Sequence, residues 1–145
     1  MIADENRMTP RSLAILALVI ACRSSAPPAD SGDQPRMRPA EQGASSAVYF
    51  TLRNTGTEPL VLYGAEIDVA GNTTIHRSID VDGMASMVLE DTVVVAPGTS
   101  VRFAERGLHL MATGLRAALV VGDTVVVRLK IRPARIDTLR VPVIE

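Results

Sequence analysis

Val48-Tyr-Phe-Thr-Leu-Arg-Asn54, Thr55-Gly-Thr-Glu-Pro59 and Leu60-Val-Leu-Tyr-Gly-Ala-Glu-Ile67 follow one another without a break. The outer two pieces are short runs of aliphatic, β-branched and aromatic residues, and the middle one puts Gly and Pro in turn positions, so the stretch reads as strand, loop, strand. The same grammar continues to the C-terminus. Further strands are predicted at Thr73–Asp80, Ser86–Glu90, Thr92–Val95, Ser100–Ala104, His109–Ala112, Thr124–Ile131 and Ile136–Val143, with turns at Asp82-Gly83, Pro97-Gly98 and Gly122-Asp123. No helical period interrupts them. In Thr124-Val-Val-Val-Arg-Leu-Lys-Ile131 the second half alternates, Leu129 and Ile131 in, Arg128 and Lys130 out, as a strand with one buried and one wet face requires. Residues 47–145 are enough for a two-sheet β-sandwich. With two Phe, two Tyr and no Trp in the chain, its core must be mostly aliphatic.

Upstream of Ala47 the composition is different. Arg7 and Arg11 precede Leu13-Ala-Ile-Leu-Ala-Leu-Val-Ile-Ala21, an uncharged run with the length of a signal-peptide core and too short to span a bilayer. Its end, Val19-Ile-Ala-Cys22, resembles a bacterial lipobox. That resemblance implies a signal peptide over residues 1–21 and lipidation of Cys22, with two or more acyl chains giving stable anchoring. Residues 22–46 are rich in Ala, Pro, Ser, Asp and Gln and read as a flexible tether, with an r.m.s. reach of roughly 25–30 Å. The domain is then expected outside the cytoplasm, periplasmic and lipid-anchored to a membrane.

Whole-chain arithmetic removes several classes of function. In 145 residues, 15 Lys+Arg stand against 16 Asp+Glu, for a formal charge of −1. That sum offers no basic patch for phosphates, and four aromatic residues offer no stacking platform, so no nucleic-acid partner is expected. Nor does the sequence show a Lys/Arg cluster of the kind that binds membrane surfaces. One cysteine makes neither an internal disulfide nor a thiolate metal cluster. No Gly-x-Ser-x-Gly elbow, P-loop or dinucleotide fingerprint is present, and Asp80/Asp82 and Glu90/Asp91 read as turn and edge charges, so an enzyme is not expected.

The chemistry concentrates around the only two histidines, His76 and His109. Met84, Met87 and Met111 lie in the same window. In His109-Leu110-Met111 the alternation of a strand sends His109 and Met111 to one face and Leu110 to the other. The Asp82-Gly83 turn folds Met87 back toward the strand that carries His76. Imidazole nitrogen and thioether sulfur form a soft, neutral donor set suited to Cu(I) and unsuited to Mg²⁺, Ca²⁺ or Mn²⁺. Against this stands the plainer reading, in which Met fills gaps in the core and each His is a hydrogen-bonded structural residue.

The complete spacing is His76, ten residues, Met87, twenty-one residues, then His109-x-Met111. It resembles the motif of the periplasmic copper chaperones of the PCuAC type. The flanks Ala47-Val-Tyr-Phe-Thr-Leu-Arg-Asn-Thr-Gly56 and Gly107-Leu-His-Leu-Met-Ala-Thr-Gly-Leu115 are similar to that family's opening strand and ligand-bearing segment, and the similarity covers roughly residues 47–131. The resemblance implies an all-β, cupredoxin-like (Ig-like) β-sandwich. It also implies one Cu(I) held by His76, Met87, His109 and Met111. The ion would be delivered to a copper-acceptor protein, cytochrome c oxidase subunit II among them, or buffered outside the cytoplasm. Met84, three residues before Met87, is a possible substitute for it. A blue-copper electron carrier is excluded, because that site needs a Cys ligand and Cys22 belongs to the lipobox.

Two other readings compete. One is a metal-free lipoprotein sandwich acting as an interaction or assembly module. The other is a zinc site in which the two His join a carboxylate, Asp80, Asp82 or Glu90.

Overall fold

The computed structural model describes residues 34–145. The leader, Cys22 and the first part of the tether lie outside the described residues. Ten strands follow in order: β1 Arg36–Met37, β2 Ser46–Arg53, β3 Leu60–Ile67, β4 Asn72–Val81, β5 Met84–Leu89, β6 Val93–Val95, β7 Ser100–Phe103, β8 Leu108–Thr113, β9 Thr124–Arg132 and β10 Arg135–Pro142. There is no helix among the described residues. All strand pairs are antiparallel, in two sheets. The larger runs β1-β2-β8-β4-β5 with β7 also paired to β2, and the smaller runs β10-β9-β3-β6.

Alternation decides which side of each strand is buried. On β9, Val125, Val127, Leu129 and Ile131 point inward and the intervening residues outward. On the larger sheet the inward set is Val48, Phe50, Leu52, Ile75, Leu108, Leu110 and Ala112. These two faces meet in one aliphatic core. Its main aromatic contact is Phe50 stacked on Phe103, directly across the β2–β7 ladder, with centroids 4.3 Å apart. The sandwich is also closed by a buried amide. Asn54, at the end of β2, donates to the carbonyls of Val95 on β6 and Glu58, while its Oδ1 accepts from the Gly56 amide, so its hydrogen-bonding groups are satisfied inside.

The boundary between tether and domain falls earlier than the sequence suggests. Arg36 and Met37 pair with Tyr49 and Val48, and Met37 is fully buried. Met37 also bridges Val143, and Ala40 bridges Leu119, so the chain enters the sandwich beside β10. Residues 36–46 therefore belong to the sandwich. A two-residue strand carried by a single apolar side chain has too little alternation to stand out in a polar, Pro-rich stretch.

The β4–β5 hairpin positions the site. Asp82 and Gly83 both have positive φ, 53° and 80°, the pair of left-handed residues that a type I′ turn demands. Gly accepts this freely, and the turn is tied further by the Gly83 amide donating to Asp80 Oδ1 at 2.8 Å. A two-residue turn fixes the register, Val81 opposite Met84 and Ser78 opposite Met87.

Candidate metal site

Three neighbouring strands bring the predicted donors to one face. His76 on β4 lies directly opposite His109 on β8, with ring centroids 5.9 Å apart and planes inclined by 60°. Met111 is two residues beyond His109 and faces Thr74, itself two residues before His76. Met87 on β5 faces Ser78, two residues after His76. Period-two alternation therefore puts His76, Met87, His109 and Met111 on the outer face of the larger sheet, opposite the face that carries Ile75 and Leu110 into the core. Met87 sits diagonally across from His76, within reach of a long thioether side chain.

Met84 does not join them. It stands three positions before Met87, so it points to the other face of the hairpin with Ile79, Val81 and Val88, all exposed. An odd separation along a strand puts Met84 and Met87 on opposite faces of the hairpin.

Each imidazole is oriented by its own strand. His109 is buried, and its Nδ1–H donates to the Gly107 carbonyl at 3.1 Å, which leaves the Nε2 lone pair for another partner. The same carbonyl accepts from the Ser78 amide at 3.0 Å, so the β7–β8 turn is locked to β4. His76 Nε2 lies 3.0 Å from Thr74 Oγ1. His76 Nδ1 is buried and has no hydrogen-bond partner. A buried, unpaired imidazole nitrogen costs about 1–3 kcal/mol, and coordination to a metal removes that cost.

Burial differs across the set. His109 is 4 % exposed, whereas Met87, on the edge strand β5, is 58 % exposed. Tyr49 stands beside His109 with ring centroids 6.5 Å apart, and the Arg36 guanidinium lies 5.1 Å above the Tyr49 ring. Burial holds the Tyr49 phenol above its ordinary range, so it stays neutral. Glu105 pairs with Arg38, whose hydrogen bond holds the carboxyl below its ordinary range. Sequence reasoning missed this cover, because Arg36 and Arg38 fell in the supposed tether.

Carboxylates do not complete an alternative site. Asp80 is engaged by the turn amide and Glu90 pairs with Arg77. Among the described residues no group of three His, Cys, Asp or Glu side chains is placed to hold an ion. The available donors are two neutral nitrogens and two thioether sulfurs, a set that favours a soft monovalent ion over a hard divalent one.

Comparison with known proteins agrees with the fold. Residues 31–143 match the family described as "Putative lipoprotein LpqE-like". The protein "Putative lipoprotein Lxx21020" from Leifsonia xyli subsp. xyli (strain CTCB07) is 26% identical over 99 residues, 68% of this chain and 60% of the relative. The match thus spans less than two thirds of that relative's length. Among solved structures, the apo PCuAC domain from PmoF1 superposes with a TM-score of 0.63 at 18% identity, covering 77% of this chain and 90% of that one. The copper-bound PCuAC domain from PmoF2 gives 0.62 at 20% identity, covering 77% and 88%. The solution structure of CuI-DR1885 from Deinococcus radiodurans gives 0.58 at 27% identity, covering 83% and 80%. The sandwich is therefore the fold of PCuAC domains.

Proposed function

From the premise that this chain belongs to the LpqE-like lipoprotein family and has the PCuAC fold, we propose that it is an extracytoplasmic Cu(I) chaperone. His76, Met87, His109 and Met111 are its ligands. The observation that carries the reading is the convergence of these four neutral donors on one sheet face, with His76 Nδ1 buried and unpartnered. Copper-bound structures of similar proteins, the PmoF2 domain and CuI-DR1885, support it.

The geometry suits transfer better than storage or redox chemistry. Neutral ligands leave the bound ion its positive charge, and thioethers hold it less firmly than thiolates, so a better-ligated acceptor can take it. Met87 is the most exposed donor, and an acceptor reaches the site from the β5 edge. Cytochrome c oxidase subunit II is the acceptor proposed from the family resemblance, with buffering of periplasmic copper as the accompanying role. The lipidated Cys22 would hold the domain at the membrane, and the protein acts by binding and not by catalysis.

The two methionines of β5 supply the test. In anaerobic competition with a chromophoric Cu(I) chelator, Met87→Leu is expected to weaken Cu(I) binding by about tenfold or more, while Met84→Leu leaves it unchanged. Equal behaviour of the two variants would contradict the ligand assignment.

A further inference from the structure

The near-neutral sum of charges conceals a local excess of cations that appears only once the strands are paired. Arg128, Lys130 and Arg132 on β9 and Arg140 on β10 all project from the outer face of the smaller sheet, because Arg140 pairs with Val126 and so shares the outward parity of β9. Among the described residues, the acids on this face are Glu66 and Asp68. Glu66 bonds Lys130, and Asp68 Oδ1 accepts from the Val126 amide. Arg128 faces Glu66 across the β3–β9 ladder without a direct ion pair, and Arg140 has none among the described residues. Exposed apolar side chains are interleaved with these cations: Ile136 beside Lys130, Tyr63 beneath the Arg132 guanidinium at 4.7 Å, and Val94 at the β6 edge. Asp80 and Asp82 lie instead at the tip of the β4–β5 hairpin of the other sheet, where Glu90 is paired with Arg77.

We propose that the outer face of the smaller sheet is a membrane-docking surface that seats on anionic phospholipid headgroups. Cations alone fit any polyanion. Cations interleaved with exposed Tyr, Ile and Val fit an interface in which phosphates lie next to acyl chains. The topology agrees, since the chain enters the sandwich at β1, bridged to Val143 just beyond β10, the edge strand of this face. Because the outer faces of two stacked sheets look in opposite directions, docking this one leaves His76, Met87, His109 and Met111 facing away from the bilayer. The inference goes beyond the copper reading and holds for the metal-free protein.

The test uses the metal-free mature chain, residues 22–145 with Cys22→Ser, so that neither the apolar leader nor an acyl group is attached, sedimented with vesicles containing about 30% phosphatidylglycerol or with pure phosphatidylcholine vesicles. Binding is expected to be stronger with the anionic vesicles, and that preference is expected to vanish at about 0.5 M salt. Arg128→Gln/Lys130→Gln/Arg132→Gln/Arg140→Gln together are expected to lower the anionic-vesicle affinity about tenfold or more, whereas Arg102→Gln/Arg106→Gln leaves it unchanged. In a Tyr63→Trp chain the indole emission is expected to shift to the blue on anionic vesicles only. Equal binding by both sets of variants, or indole emission unmoved by vesicles, overturns the proposal. Unaltered Cu(I) uptake by the quadruple variant keeps this result separate from the fate of the metal site.

Discussion

His109→Ala/Met111→Ala is expected to lower Cu(I) affinity by at least about 100-fold, about 2.8 kcal/mol, measured by anaerobic competition against a chromophoric chelator. The double change removes both donors that β8 contributes and leaves His76 and Met87 on neighbouring strands. Two ligands do not hold a transferable ion against a competing chelator. His109 is buried, so its loss also disturbs packing around Tyr49. His76→Ala separates the two effects, because His76 lies nearer the surface and gives up a single hydrogen bond, between its Nε2 and Thr74 Oγ1. A fall in affinity for both variants, with unchanged far-ultraviolet circular dichroism, assigns the loss to coordination. Retention of wild-type affinity by either variant contradicts the assignment.

Leu110→Ala is expected to destabilise the fold by about 2–5 kcal/mol, seen as a lower denaturant midpoint with an unchanged slope. Leu110 is fully buried, opposite Val48 on β2 and Ile75 on β4, at the centre of the larger sheet's inner face. Truncation leaves a cavity there that strands fixed by ladder hydrogen bonds close only in part. Since Leu110 lies between His109 and Met111 and points the other way, the surviving folded protein keeps its donors in register. Its Cu(I) affinity at a temperature where it is fully folded is expected to stay within about twofold of wild type. The pair of predictions thus divides one tripeptide into a metal-facing side and a core-facing side.

That division was legible from the sequence because a strand's side-chain period is fixed. Leu60–Ile67 and Thr124–Ile131 were likewise readable from aliphatic runs bounded by Gly and Pro, and Asp82-Gly83 carries the strongest two-residue hairpin signal the chain contains. Harder to read were features that depend on which strands become neighbours. The His76–His109 pairing joins residues on β4 and β8, and nothing in the linear chain states that those strands are adjacent. That Met84 and Met87 lie on opposite faces is set by the hairpin register. β1 escaped notice because one buried Met37 anchors it, and Arg36 and Arg38 with it were assigned to the tether. The basic face escaped because acids elsewhere in the chain cancel it in the sum.

The site's chemistry follows from the same arithmetic of strands. Side chains at i and i+2 on β8, a facing residue on β4 and a diagonal one on β5 gather four neutral donors without any loop to hold them. In the proposed site a rigid ladder positions the two imidazoles, and the flexible thioether of the edge strand would complete the set and stay open to a partner.

The central claim is tested most directly by titrating the full chain anaerobically with Cu(I) in the presence of a chromophoric Cu(I) chelator. The account predicts that the folded protein withdraws one equivalent of copper from the chelator. Copper remaining wholly with the chelator, at concentrations where the protein is folded, would contradict it.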